Sequence, residues 1–292
     1  MRICATVAAV SGALALSVLA VPAAHADNSV SGADVTDADQ PYALNASFSN
    51  IKINNGRAIV AGTTGMITVP ITYTLTHGAD VDITAEDFFT DVELYYVASQ
   101  DDSYDDSDYT LFGDDWAHCT AASVTVANCT QSIVIHPAQD LFNEAAGKWK
   151  AYAYARALNG QDTGSDDYDV TKVGVVEKDL IAGPSLLRAA KLTVNATPEP
   201  VVKGKTITVT GKLTRANWDG ANYTGYASQP VQLQFRKNGA SAYTVVKTIK
   251  TTTKGDLKTT VKATADGYFR YVFTGTATTG ALGAAPDFID VK

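Results

Sequence analysis

Apolar and polar residues alternate along much of this chain. From Met66 to Leu75 every second residue suits an apolar face, the period of a half-buried strand, and Pro70 within that run predicts an edge position or a bulge. Val92, Leu94 and Tyr96 share one face of another strand. Between residues 149 and 156, Trp149, Ala151, Ala153 and Ala155 alternate with Lys150, Tyr152, Tyr154 and Arg156. One face there is small and packable and the other amphipathic. The same period returns in Ile207-Thr208-Val209, in Val231, Leu233 and Phe235, in Tyr243–Ile249 and in Tyr268–Phe273. Asp140–Ala146 has room for one or two helical turns, and no longer stretch keeps a helical period. The pattern predicts an all-β chain.

Three of these segments recur in the same order. Ile67-Thr68-Val69 matches Ile207-Thr208-Val209, Val92–Tyr96 matches Val231–Phe235, and Gly147–Lys150 matches Gly267–Arg270. Two copies of one sandwich unit follow from that order. Val92 and Trp149 lie 57 residues apart but Val231 and Phe269 only 38, so the first copy carries 19 extra residues in that interval. Short strands with turns every 8–12 residues fit two immunoglobulin-like β-sandwich domains in tandem. Trp149 and Phe269 are then expected in the two cores rather than on a sugar-stacking surface.

Charge divides the chain in the same place. Residues 27–188 hold 25 acidic and 8 basic side chains, whereas residues 189–292 hold 6 acidic and 14 basic. The expected organisation is a leader over 1–26, an acidic flexible N-terminus over 27–41, and an acidic sandwich over 42–180. A linker follows over 181–188, where Gly183-Pro184-Ser185 reads as a breaker, and a basic sandwich over 189–292. The leader has one positive charge at Arg2, an apolar run from Ile3 to Ala20, and Ala24-His25-Ala26 as a small-x-small site, so cleavage is expected before Asp27. A secreted, extracellular protein with no membrane span in its mature chain is the expectation. The net charge of −8 disfavours nucleic acid as a partner. Cys119 and Cys129 remain after cleavage, and an even pair in an exported chain predicts a disulfide across a hairpin rather than a zinc site.

Residues 191–201 (Lys191-Leu192-Thr193-Val194-Asn195 onward) and 203–215 (Lys203-Gly204-Lys205-Thr206-Ile207 onward) resemble the opening of an immunoglobulin-like domain common in secreted actinobacterial proteins of unassigned function. Val231–Lys237 and Asp266–Arg270 continue the resemblance over most of residues 189–292, and the first half resembles the companion domain of such proteins. Some members carry a calcium-binding label. The resemblance implies an extracellular sandwich and transfers no catalytic residue.

The conspicuous chemistry is acidic. Residues 101–115 hold seven carboxylates, with Asp101, Asp102, Asp105, Asp106 and Asp108 as the candidate ligands of a calcium ion. The spacing does not fit an EF-hand, which leaves either an irregular loop site completed by Asp166, Asp167 and Asp169 of a second acidic loop, or a solvated insertion. Lys247, Lys250, Lys254, Lys258 and Lys262 either face an anionic cell-wall polymer, protect a strand edge, or meet the acidic first half of the same or another molecule. His77, His118 and His136 belong to no catalytic signature, and H-E-x-x-H and G-x-S-x-G do not occur. The reading is a non-enzymatic binding or structural protein of the cell surface or extracellular space, with cell-wall polymer or an extracellular protein as partner. The alternative is a secreted hydrolase acting on cell-wall polysaccharide or peptide.

Overall fold

The computed structural model describes residues 40–292. The leader expected over 1–26, and the expected acidic N-terminus up to residue 39, lie outside the described residues. The rest is strand, turn and a few single helical turns, in four sheets that face each other in two pairs.

In the first pair, one sheet runs β2 (Ala46–Ile53), β4 (Ile67–His77), β8 (Val126–Ile135), β7 (His118–Ser123). The facing sheet runs β1 (Tyr42–Ala43), β10 (Gly174–Arg188), β9 (Gly147–Ala157), β5 (Phe88–Tyr96), β6 (Tyr109–Leu111), and β3 (Ile59–Ala61) also joins β10. Counted from β2 as A and omitting the short β1 and β3, these orders are A-B-E-D and G-F-C-C′, the immunoglobulin arrangement. Alternation works as expected: Val69, Ile71, Tyr73 and Leu75 of β4 point inward and meet Val92, Leu94, Trp149, Ala151, Ala153 and Ala155. Trp149 is core, and its indole N–H donates to Ala145 O at 2.7 Å. Pro70 lies on a central strand rather than an edge. It is tolerated because β2 pairs with β4 only from Ile71 onward, so the β2 side is open at Pro70.

The second pair repeats the plan. β11 (Ala190–Leu192) and β12 (Asn195–Thr197) flank β13 (Thr206–Asn217), which also pairs with β14 (Asn222–Gly225) and β17 (Asp256–Lys262). Facing them, β16 (Thr244–Lys250), β15 (Pro230–Lys237) and β18 (Gly267–Phe273) lie side by side, and β19 (Leu282–Gly283) and β20 (Asp287–Ile289) join β18. A second hydrophobic cluster fills the space, with Ile207, Val209, Leu213 and Leu257 against Val231, Leu233, Phe269, Tyr271 and Phe273. All three sequence matches fall on equivalent strands: β4 with β13, β5 with β15, β9 with β18.

Residues 181–188, expected as a linker, instead complete β10. The strand bulges twice against β9, between Lys178 and Ile181 and between Ala182 and Ser185. Gly183 is required there because a Cβ would stand 2.7 Å from Trp149 O. One residue, Ala189, separates β10 from β11. The junction is filled rather than loose. Ala189 N donates to Ala61 O at 2.7 Å, Arg188 Nε to Ala216 O at 2.5 Å and Trp218 Nε1 to Gly62 O at 2.9 Å. Trp218, 2% exposed, is buried in the first hydrophobic cluster although it follows β13. Asn143 clasps the same turn, accepting from Trp218 N at 3.0 Å and donating to Asn217 Oδ1 and Asp219 Oδ2 at 2.5 Å each.

Trp218→Ala is expected to cost about 3–5 kcal/mol, the usual penalty for emptying a buried aromatic site. Calorimetry should show one thermal transition for the wild type and two for the variant; one transition at the wild-type temperature in the variant would refute a coupled junction.

Candidate binding face

The outward side of the β10-β9-β5 sheet is not the polar surface that alternation alone supplies. Register places Asp91 opposite Tyr154, Glu93 opposite Tyr152 and Tyr95 opposite Lys150 across β5 and β9, with Glu177 of β10 opposite Tyr154. Aromatic rings and carboxylates therefore interleave across three strands. Phe89, Trp116, Tyr154, Tyr152, Tyr104 and Tyr95 form an unbroken strip, with successive centroids 4.3–6.2 Å apart. Arg156 caps it, 5.2 Å above Tyr154.

Tyr104 belongs to the acidic run, and it ties that run to the sheet. Its ring stacks on Tyr152 at 4.3 Å and 16°, its hydroxyl donates to the Glu93 carboxylate, and its N–H donates to Asp179 Oδ2 at 2.9 Å. Asp179 Oδ1 accepts from the Tyr95 hydroxyl at 2.6 Å, and Lys150 Nζ donates to Asp102 O at 3.1 Å. Burial and the neighbouring carboxylates push the hydroxyl pKa values of Tyr95, Tyr104, Tyr152 and Tyr154 well above the ordinary tyrosine range, so all four remain donors.

The candidate calcium ligands are spread along this turn. Asp106 Oδ2 accepts from Ser103 Oγ at 2.9 Å, capping the single 3-10 turn Tyr104–Asp106, and Asp108 Oδ2 accepts from Ala98 N at 3.1 Å. Asp101 and Asp105 face solvent, and Asp102 contributes its carbonyl to Lys150. Asp169 caps its own turn by accepting from Thr171 N at 3.1 Å, and Asp166 and Asp167 are exposed. Among the described residues no three His, Cys, Asp or Glu side chains gather as a metal site requires.

Where β6 stops pairing with β5, a side chain takes over. The Gln131 amide, reaching from β8, accepts from Val92 N and donates to Val92 O, each at 2.9 Å, in place of a strand neighbour. Asp91, 3% exposed, also receives a bond from Gln131 Nε2 and one from Val92 N. Burial raises its pKa to about 6, more than those bonds lower it.

Beside this lock the loop 112–117 crosses the outer side of β8. Gly113 allows the approach, since a Cβ there would stand 3.0 Å from Ser132 O. Beyond it Asp114, Asp115, Trp116 and the β8 residues Thr130, Gln131, Ser132 and Val134 line a shallow depression. Trp116 rests on Phe89 at 5.2 Å and edge-on to Tyr154 at 6.2 Å, yet 54% of it is open to solvent; Phe112 nearby is 62% open. Sequence reading did not single out Trp116; its one signal was an aromatic residue straight after Asp114-Asp115 in a turn. Cys119 and Cys129, paired in register across β7 and β8, form the expected disulfide and staple the strand that this loop enters. His77, His118 and His136 lie on separate elements, at the end of β4, the start of β7 and ahead of the helical turn Pro137–Asp140.

Two outcomes follow. Because the folded protein holds the Asp91 proton more tightly than the unfolded chain, whose carboxyl titrates near 3.8, stability should fall as pH rises from about 4 to about 6 and stay lower above that. Asp91→Asn, which is always neutral, is expected to gain about 2–3 kcal/mol in denaturant titrations at pH 7 and nothing below about pH 4; an equal effect at both pH values would refute the buried carboxylate. With Asp106 and Asp108 held by Ser103 and Ala98 while Asp101 and Asp105 face solvent, calcium is expected to shift the melting temperature no more than magnesium at equal ionic strength. A calcium-specific rise that Asp105→Ala with Asp106→Ala removes would overturn that.

No family model and no curated protein matches this chain. Among solved structures it is similar to the Yersinia pseudotuberculosis adhesin InvE, 11% identical with a TM-score of 0.26, over 84% of this chain and 58% of that one. It is also similar to the Escherichia coli adhesin FdeC, 17% identical with a TM-score of 0.21, over 83% of this chain and 63% of that one. The chain thus spans about three-fifths of the length of these two adhesin structures. Superpositions of that quality bear on neither ligand nor activity; the assignment of the fold rests on the strand pairing itself.

Proposed function

We propose that this protein is a non-enzymatic binding module that works outside the cell, and that the depression beside Trp116 takes a hydroxyl-rich polymer of the cell wall. The observation that carries the reading is Trp116 itself, more than half open although its ring is held by Phe89 and Tyr154. A large aromatic ring left exposed on a rigid support offers a flat apolar surface with little ordering entropy to lose on binding. A pyranose ring has a matching C–H face, and its hydroxyls find acceptors in Asp114 and Asp115 and both donors and acceptors in Thr130 and Ser132. Loops on a stapled sandwich are the usual place for such recognition. A disulfide between Cys119 and Cys129 supports an oxidising compartment, in keeping with the leader expected over residues 1–26. Asp91, the carboxylate with a raised pKa, is sealed by Gln131 and Val92 and does not open onto the depression as a general acid would have to.

Depletion of the purified protein by insoluble cell-wall polysaccharide tests this. The wild type should be retained, and Trp116→Ala should weaken retention by about tenfold or more, as loss of a central aromatic anchor does. Retention unchanged in Trp116→Ala, or no retention of the folded wild type, would refute the site.

A further inference from the structure

The two sandwiches differ at one edge. In the first, β8 is flanked by β4 on one side and by β7 on the other. Its counterpart β17 pairs with β13 alone, because only the five residues 251–255 connect β16 to β17 and no strand is left to fill the place of β7. The opening between β16 and β17 exposes apolar surface: Phe235, Val246, Val261, Ala263 and Phe269 line a groove, and Val245 and Val246 on β16 are 55% and 45% exposed. Lys262 lines it too, and Lys247 and Lys250 on β16, Lys254 in the connection and Lys258 on β17 add exposed positive charge to the same two strands, with Lys247 Nζ donating to Thr259 Oγ1 at 3.2 Å. Among the described residues none of the five has a carboxylate within 4.0 Å; the lysine ion pairs are Lys172–Asp169, Lys212–Asp256 and Lys292–Asp290.

The first sandwich presents the opposite surface. Strand β6 ends its sheet and so has a free edge, and the turn before it exposes Asp101, Asp105, Asp106 and Asp108, which also lack ion-pair partners. We propose that the open β17 edge of one molecule receives the acidic β6 edge of a second copy of this chain, joining molecules head to tail. Backbone pairing along two free edges supplies the attachment, as in strand addition generally, and the unpaired lysines and aspartates select the partner and its orientation. The contact is heterologous, since the two surfaces lie on different sandwiches, so assembly continues into chains unless rotation closes a ring.

Sedimentation velocity of the full chain tests the proposal. Association that grows with protein concentration is expected at about 20 mM salt and should be lost near 0.5 M, where charges are screened within a few ångströms. Lys258→Glu with Lys262→Glu should weaken association by about tenfold or more, and so should Asp105→Lys with Asp106→Lys. An equimolar mixture of these two variants should associate again, because each supplies the charge that the other has reversed. Trp116→Ala should leave sedimentation unchanged, which separates this surface from the polymer site. A monomer at all salt concentrations, association indifferent to the charge reversals, or a mixture that stays monomeric would overturn it.

Discussion

Three alanines on one side of β9, Ala151, Ala153 and Ala155, bring its backbone close to the large side chains of β4, while the opposite side carries Tyr152 and Tyr154. A strand in an immunoglobulin-like sandwich ordinarily faces water on one side. Here neither face does, because Tyr104 and the turn that carries it close over the tyrosines. That double burial ties the acidic run to the sheet, raises the tyrosine pKa values, and gives Trp116 a rigid neighbour to lean on. The exposed Trp116 ring, between Phe89 and Tyr154 in the strip, is a consequence of how the covered rings are packed.

The duplication explains what each sandwich can do. Both inherit the same inner alternation, and both place a large aromatic residue, Trp149 or Phe269, at the start of the equivalent strand. The 19 additional residues in the first copy lengthen the stretch that supplies β6, β7, the disulfide and the depression beside Trp116. In the second copy the short β16–β17 connection keeps the strand count low and leaves β17 with an unpaired edge rimmed by lysine. One interval of chain thus separates a surface built from loops from one built from bare backbone.

The halves are joined by a wedge rather than a tether. Trp218 leaves its own sandwich and completes the core of the other, with Asn143 satisfying the polar groups around it. Gly183-Pro184 misleads as a linker signal because the residues that break a strand are also the residues that bulge it. Only the close approach to Trp149 O shows which of the two is at work.

Period-two alternation, three repeated segments and the Cys119–Cys129 spacing were enough to establish an all-β chain, the equivalence of β4, β5 and β9 with β13, β15 and β18, the disulfide hairpin and the burial of Trp149. These are local properties: a side chain's face follows from its parity along a strand, and a cross-strand pair follows from distance to the turn. What covers the outer face of a sheet is set by contacts between residues far apart in sequence. The docking of Tyr104 on Tyr152, the wedge of Trp218, the Gln131 lock on Val92 and the capping of the Tyr104–Asp106 turn by Asp106 left no periodic trace. Only tertiary packing decided that the acidic run would dock on the sheet through Tyr104, with Glu93 and Asp179 accepting its hydrogen bonds, and that Trp116 would stay more than half open on a support of Phe89 and Tyr154.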